Sequence, residues 1–197
     1  MFEILKQLNE LWSINLNGLT QYNIIKETSI LFADLPIFII PLFLLSFWLI
    51  YNFNGEKEKK ENLLFIFYSV ILGVFINVII QKLFYIDRPQ DFLQNSGNFL
   101  LNHIPNASFP SDHATVSFAF LTAIFLFGYR KITFLIFPLF IIMLLSRIVA
   151  GVHWSFDIIA GIFIGIISAI VIRKYKDSYF FVKTNSILLK MASYLKI

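Results

Sequence analysis

Polar residues are scarce inside five long apolar runs of this chain and crowd into the short segments between them; the runs fall at roughly residues 33–52, 62–82, 113–129, 132–150 and 155–173. A bilayer core of about 30 Å takes about 20 helical residues, so each run predicts a transmembrane helix. Strands are excluded because lipid satisfies no backbone hydrogen bonds and no run alternates like a barrel strand. Pro36, Pro41 and Pro138 are expected to kink these helices without breaking them, and the small-xxx-small pair Gly161 and Gly165 predicts a close helix–helix approach. Ahead of the runs, Phe2, Leu5, Leu8, Leu11 and Trp12 recur at helical spacing with polar residues between them, which predicts a helix in the membrane surface. Glu3, Lys6 and Glu10 interrupt the apolar stretch that a cleaved signal needs. The expected fold is all-α, a polytopic membrane helical bundle with about five transmembrane helices. It is read as one membrane-embedded domain over 1–197, with an interfacial segment at 1–30, the core at 62–174 and a cytoplasmic tail at 175–197.

Composition reinforces the pattern. Hydrophobic residues make up 58% of the chain and mean hydropathy is +0.75, outside the range of ordinary soluble domains. There is no cysteine, which removes disulfides, thiol chemistry and cysteine-ligated metals. The basic excess is distributed by side. With five spans, Lys57, Lys59, Lys60, Arg130, Lys131, Arg173, Lys174, Lys176, Lys183, Lys190 and Lys196 fall together, leaving Lys6, Lys26, Lys82, Arg88 and Arg147 opposite. The positive-inside rule then puts the first group in the cytoplasm and the N-terminus outside. The run "NGEKEKKEN" reads as a solvated loop. Orientation accounts for the positive charge, and neither a nucleic-acid partner nor an obligate protein partner is inferred.

The remaining polar residues gather on the outer side. Lys82 and Arg88 end the second span, His113 opens the third, Arg147 ends the fourth, and His153 and Asp157 open the fifth. Ionisable groups at membrane depth are costly and mark function. Three cations with the Ser111 hydroxyl make an anion site, and Arg offers forked donors matched to phosphate. Ser111 also suits the N-cap of the third helix, a purely structural role, and the outward starts of the third and fifth helices add two positive dipole ends. His153 and Asp157, four apart, share a helical face, so the carboxylate can orient the imidazole as a nucleophile, and His113 can protonate a leaving oxygen. Two histidines and a carboxylate also suit Zn²⁺ or Fe²⁺, but three neighbouring cations would repel a dication. His103, Asp112 and Asp34 read as a loop, a helix-start and an interfacial residue.

"SFPSDH" at 108–113 and "SRIVAGVHWSFD" at 146–157 resemble two signatures of the type 2 phosphatidic acid phosphatase superfamily. The resemblance covers about residues 62–174. It implies that His153 attacks phosphorus, Asp157 supports it and His113 is the general acid, while Arg88, Ser111, Arg147 and the Gly151 amide hold the equatorial oxygens, with no metal or other cofactor. The third signature departs from its pattern: the family has six residues between its Lys and its Arg-Pro, whereas "KLFYIDRP" has five between Lys82 and Arg88, and Gln81 takes the expected place. On a regular helix a separation of six misses the shared face by roughly 120°. Lys82 reaches the phosphate if the helix unwinds ahead of Pro89, as proline favours. Within the superfamily the chain resembles the bacterial undecaprenyl pyrophosphate phosphatases of the bacitracin-resistance type. That implies a multi-pass enzyme of the bacterial cytoplasmic membrane whose site faces outward and removes the terminal phosphate of a long-chain lipid diphosphate. Phosphatases of lipid A, phosphatidylglycerol phosphate or phosphatidic acid share these motifs, and a non-catalytic lipid-phosphate binding or transport protein would share the cation cluster.

Overall fold

Lipid offers no partner for a bare peptide group, so each apolar run closes its hydrogen bonds within a helix. A computed structural model describes residues 2–89, 100 and 107–194 of the chain. Among these are eight α-helices and no strand: α1 Phe2–Asn17, α2 Asn23–Phe32, α3 Pro36–Phe53, α4 Lys57–Leu83, α5 Asp112–Leu126, α6 Arg130–Val149, α7 Ser155–Tyr175 and α8 Tyr179–Tyr194, with a 3₁₀ turn at Gly18–Gln21. The molecule is a helical membrane bundle. α4, α6 and α7 are long and apolar enough to cross a bilayer, and α3 and α5 are shorter apolar helices. The five expected spans correspond to α3 to α7.

Several local expectations are corrected. Pro36 is the first residue of α3 and kinks nothing, because the first turn needs no proline N–H; Pro41 and Pro138 do lie inside continuous helices. The charged run at 54–62 is only partly loop. From Lys57 it is the opening of α4, supported by an ion pair between Glu56 and Lys59, with Lys60 buried against Asn52 and the Trp48 ring. Most of the expected tail is α8, which packs back through buried Asn185, Leu189 and Ala192, Asn185 accepting a hydrogen bond of 2.9 Å from Tyr68.

The centre of the bundle is α5 against α7. A Cβ on Gly161 would lie 2.6 Å from the Ser111 carbonyl oxygen, and one on Gly165 would lie 2.5 Å from that of Thr115, so only hydrogen fits at either place. The wider core joins Phe43, Phe120 and Phe140 by ring contacts at 5.1 and 6.0 Å, while Leu42, Phe75, Leu135 and Phe163 are more than half exposed on the outside, where lipid would cover them.

Candidate active site

The bundle brings the end of α4, the start of α5, the end of α6 and the start of α7 to one pole, and the loop at 107–111 threads between them. At the end of α6 the chain must reverse. Gly151, at φ 75°, donates from its amide to Ile148 O at 3.0 Å and Val152 N donates to Arg147 O at 3.2 Å, the Schellman closure that glycine favours. Two residues later the chain delivers His153. Ser111 caps α5 by accepting from Ala114 N at 3.5 Å, while its own amide donates to Asp157 O at 3.1 Å. The cap uses a lone pair, so the hydroxyl proton remains to be donated.

His153 and Asp157 are both 2% exposed. Arg88, buried at the pole after the chain leaves α4 at Phe84, donates from Nη1 to Val152 O at 2.7 Å and reaches His153 Nε2 at 3.2 Å. A guanidinium only donates, which assigns the lone pair to Nε2 and the proton to Nδ1. That proton goes to Ser108 O at 3.1 Å, and Asp157 Oδ2 is farther off, at 3.5 Å. Asp157 is held instead by the Ser108 hydroxyl and by Trp154 N at 2.9 Å. Ser108 therefore stands between the two residues that spacing alone pairs directly. It opens the "SFPSDH" motif, yet a serine carries no charge signal.

The second group is centred on Arg147, whose side chain is 1% exposed. Its Nη1 donates to Asp34 Oδ1 at 2.5 Å and to Ala33 O at 3.3 Å, and His113 Nε2 lies 3.5 Å from it and 3.1 Å from the same carboxylate oxygen. Among the described residues nothing accepts from Arg147 Nε and Nη2, which are buried. Leaving charged donors buried and unpaired is expensive, and two adjacent ones match two oxygens of a phosphate in forked geometry. Asp34, in the turn between α2 and α3, was read as an interfacial residue. The signal available for it was a carboxylate inside an apolar run.

The other expected residues divide. α4 stays helical through Leu83, so the chain leaves the helix ahead of Arg88 but only after Lys82. Lys82 is exposed, whereas Gln81 donates to Pro110 O and to Asp112 Oδ1, both at 3.1 Å. Asp112, read as a helix-start residue, also accepts from buried Asn77 at 2.9 Å, and Asn77 in turn accepts from Thr115 at 3.0 Å. Two expected anion donors have prior partners. The Gly151 amide is committed to the α6 closure, and at the start of α7 Ser155 N and Phe156 N donate to Ser13 Oγ at 2.8 Å and Asn9 Oδ1 at 2.9 Å. His103 lies outside the described residues.

An apolar cavity of about 430 Å³ runs up to this pole between α3, α4 and α5. It is walled by Ile40, Pro41, Leu44, Phe67, Val70 and Val116 and ends at Asp112 and His113. A second of about 320 Å³ shares Pro41, Leu44 and Phe67 and extends it along α3 and α4 to Trp48.

A family model described as the PAP2 superfamily matches residues 62–180. The chain is 31% identical over 166 residues to the undecaprenyl-diphosphatase BcrC of Bacillus subtilis, covering 82% of this chain and 81% of that protein. It is 30% identical over 155 residues to the bacitracin transport permease protein BcrC of Bacillus licheniformis, covering 77% and 72%. Its fold is similar to the crystal structure of Aquifex aeolicus LpxE, with a TM-score of 0.69 and 25% identity over 85% of this chain and 96% of that one.

Proposed function

The chain belongs to the PAP2 superfamily and is a membrane lipid phosphatase of that kind, and from this premise we propose that it hydrolyses the terminal phosphate of undecaprenyl pyrophosphate at the outer leaflet, through a phosphohistidine and without a metal. The observation that carries the reading is Arg147, beside His113, with Nε and Nη2 buried and unpartnered among the described residues. The relative's name supports the substrate, and the apolar cavity ending at His113 supports a long lipid tail on the leaving-group side.

In this mechanism the terminal phosphoryl group sits on Arg147, Arg88 and the Ser111 hydroxyl, and Lys82, exposed on the last turn of α4, draws the anion in from the rim. As Arg88 turns to the phosphate, the lone pair of His153 Nε2 is uncovered. It forms the N–P bond while the bond from phosphorus to the bridging oxygen breaks, and that oxygen keeps the electron pair and takes a proton from His113. Asp157 and Ser108 hold the Nδ1 side and stabilise the charge on the ring. Neutral His113 then takes a proton from water, the hydroxide displaces the N–P bond, and inorganic phosphate leaves with His153 restored.

A comparison of kcat/KM on detergent-solubilised protein over a prenyl diphosphate, phosphatidylglycerol phosphate, phosphatidic acid and lipid A is the direct test, and the prenyl diphosphate is expected to lead. Denaturant-quenched protein should carry acid-labile phosphate, absent in His153→Ala. A better leaving group should partly rescue His113→Ala but not His153→Ala. Equal rescue of both, or no phosphate release from any lipid, would reject the reading.

A further inference from the structure

We propose that Asp34 is a positioning residue of this active site. By accepting His113 Nε2–H and tying one arm of Arg147, it reserves His113 Nδ1 for the departing oxygen and Arg147 Nε and Nη2 for the phosphate. The inference rests on the phosphatase reading above and adds a residue from outside the 62–180 match.

One carboxylate oxygen serves both partners, at 3.1 Å from His113 and 2.5 Å from Arg147, and the neighbouring Ala33 carbonyl takes a second bond from the same Arg147 nitrogen. His113 Nδ1 makes no hydrogen bond to the described residues, and the ring lines the end of the apolar cavity. The arrangement mirrors that of the other histidine, where Nδ1 is tied to the Ser108 carbonyl and Nε2 faces Arg88 Nη1. An anion at one ring nitrogen favours the imidazolium, which is the form that donates a proton. The charged groups facing His113 are Asp34 from the turn before α3, Arg147 from α6 and Asp112 from its own helix. Of these, Asp34 alone accepts a hydrogen bond from the ring. That bond, together with the charge of Arg147, holds the Asp34 carboxyl down at about 2 against partial burial. Asp34 is thus ionised at any practical assay pH, and a change in the alkaline limb of activity reports the ring.

The experiment takes the full chain in detergent and records kcat/KM against pH for wild type, Asp34→Asn, Asp34→Ala and Asp34→Glu. The substrates are phosphatidic acid, whose leaving alkoxide needs a proton, and para-nitrophenyl phosphate, whose leaving phenolate needs it far less. Thermal unfolding verifies the fold of each variant, and either folded neutral variant decides. The alkaline limb should move to lower pH by about one unit or more in Asp34→Asn and Asp34→Ala. Turnover of phosphatidic acid at neutral pH should fall roughly ten- to a hundred-fold, with a much smaller loss on the aryl ester. Asp34→Glu should bring the limb back towards wild type. An unmoved limb with equal losses on both substrates would overturn the proposal. So would a lowered KM in the neutral variants, which would make Asp34 a competitor for the anion site. Should wild type release no phosphate from either substrate nor from a prenyl diphosphate, the phosphatase reading itself fails, a result distinct from both.

Discussion

At the scale of single residues, His113 and His153 each have one nitrogen tied to an acceptor, Asp34 for the first and the Ser108 carbonyl for the second, and neutral groups do part of the fixing. For His153 the work falls on Ser108, whose carbonyl takes Nδ1–H and whose hydroxyl holds Asp157. Ser108→Ala keeps the carbonyl and removes the hydroxyl, leaving a buried carboxylate short of a donor. A hydrogen bond to a charged group contributes about 1.5–3 kcal/mol. If it strengthens in the transition state, steady-state kinetics should show kcat down roughly ten- to a hundred-fold with KM little changed. Wild-type kcat would remove Ser108 from the site. A second prediction separates the neighbours at the end of α4. Gln81 braces Pro110 and Asp112, and Lys82 is exposed. Gln81→Ala should lower kcat by disturbing the start of α5. Lys82→Ala should raise KM and weaken its dependence on ionic strength, because an exposed cation acts through a screened field. A large loss of kcat in Lys82→Ala would instead make it a direct ligand.

Among the elements, α1 shows a period that specifies the helix and leaves the partner of its polar stripe unspecified. Helical spacing predicts the helix, and the alternation suggests apolar residues on the membrane and polar ones in water. The polar stripe is instead the docking face: Asn9 and Ser13 cap the first amides of α7, Asn17 donates to Val149 O at 2.8 Å at the end of α6, and Leu5, Leu11 and Trp12 stay exposed. Thus α1 braces the two helix ends that flank His153. The α5–α7 contact carries a further prediction. The missing Cβ of Gly161 would press on the Ser111 carbonyl at 2.6 Å and on Ala114 Cβ at 2.7 Å. Overpacking of this sort costs about 1–3 kcal/mol, so Gly161→Ala should lower the melting temperature in detergent by on the order of 5 °C and also reduce kcat. Gly18→Ala, with nothing within 4 Å, is the control and should change neither. Identical melting curves for the two variants would refute the packing account.

For the whole molecule, the site occupies one pole of the bundle and the cationic ends of α4, α6 and α7 lie towards the other. This polarity supports an outward-facing site through the positive-inside rule. Single cysteines replacing Lys26 and Lys59, added to a chain that has none, test it. In intact cells an impermeant thiol reagent should label the first and spare the second until the membrane is opened. The opposite pattern would reverse the orientation and place the phosphatase activity on the cytoplasmic leaflet.

The apolar runs, their lengths and the placing of His113, Arg147, His153 and Asp157 at helix ends on one side were legible in the sequence. A bilayer imposes its length on every span, and a charged residue in lipid has few tolerable positions. Gly161 and Gly165 were legible for a related reason: a helix that must approach another backbone closely announces it by small residues at a fixed spacing. What the linear pattern does not encode is which polar group meets which across the bundle. Asp34, in the turn before α3, meets Arg147 on α6, Ser108 enters between His153 and Asp157, and Gln81 rather than Lys82 turns towards Asp112. The Gly151 amide, an anion donor by the resemblance, closes α6, and the start of α7, a positive dipole end by the sequence, has its first amides capped by Ser13 and Asn9. Hydrogen bonds depend on distances of a few ångströms and on direction, so only the packed helices decide them.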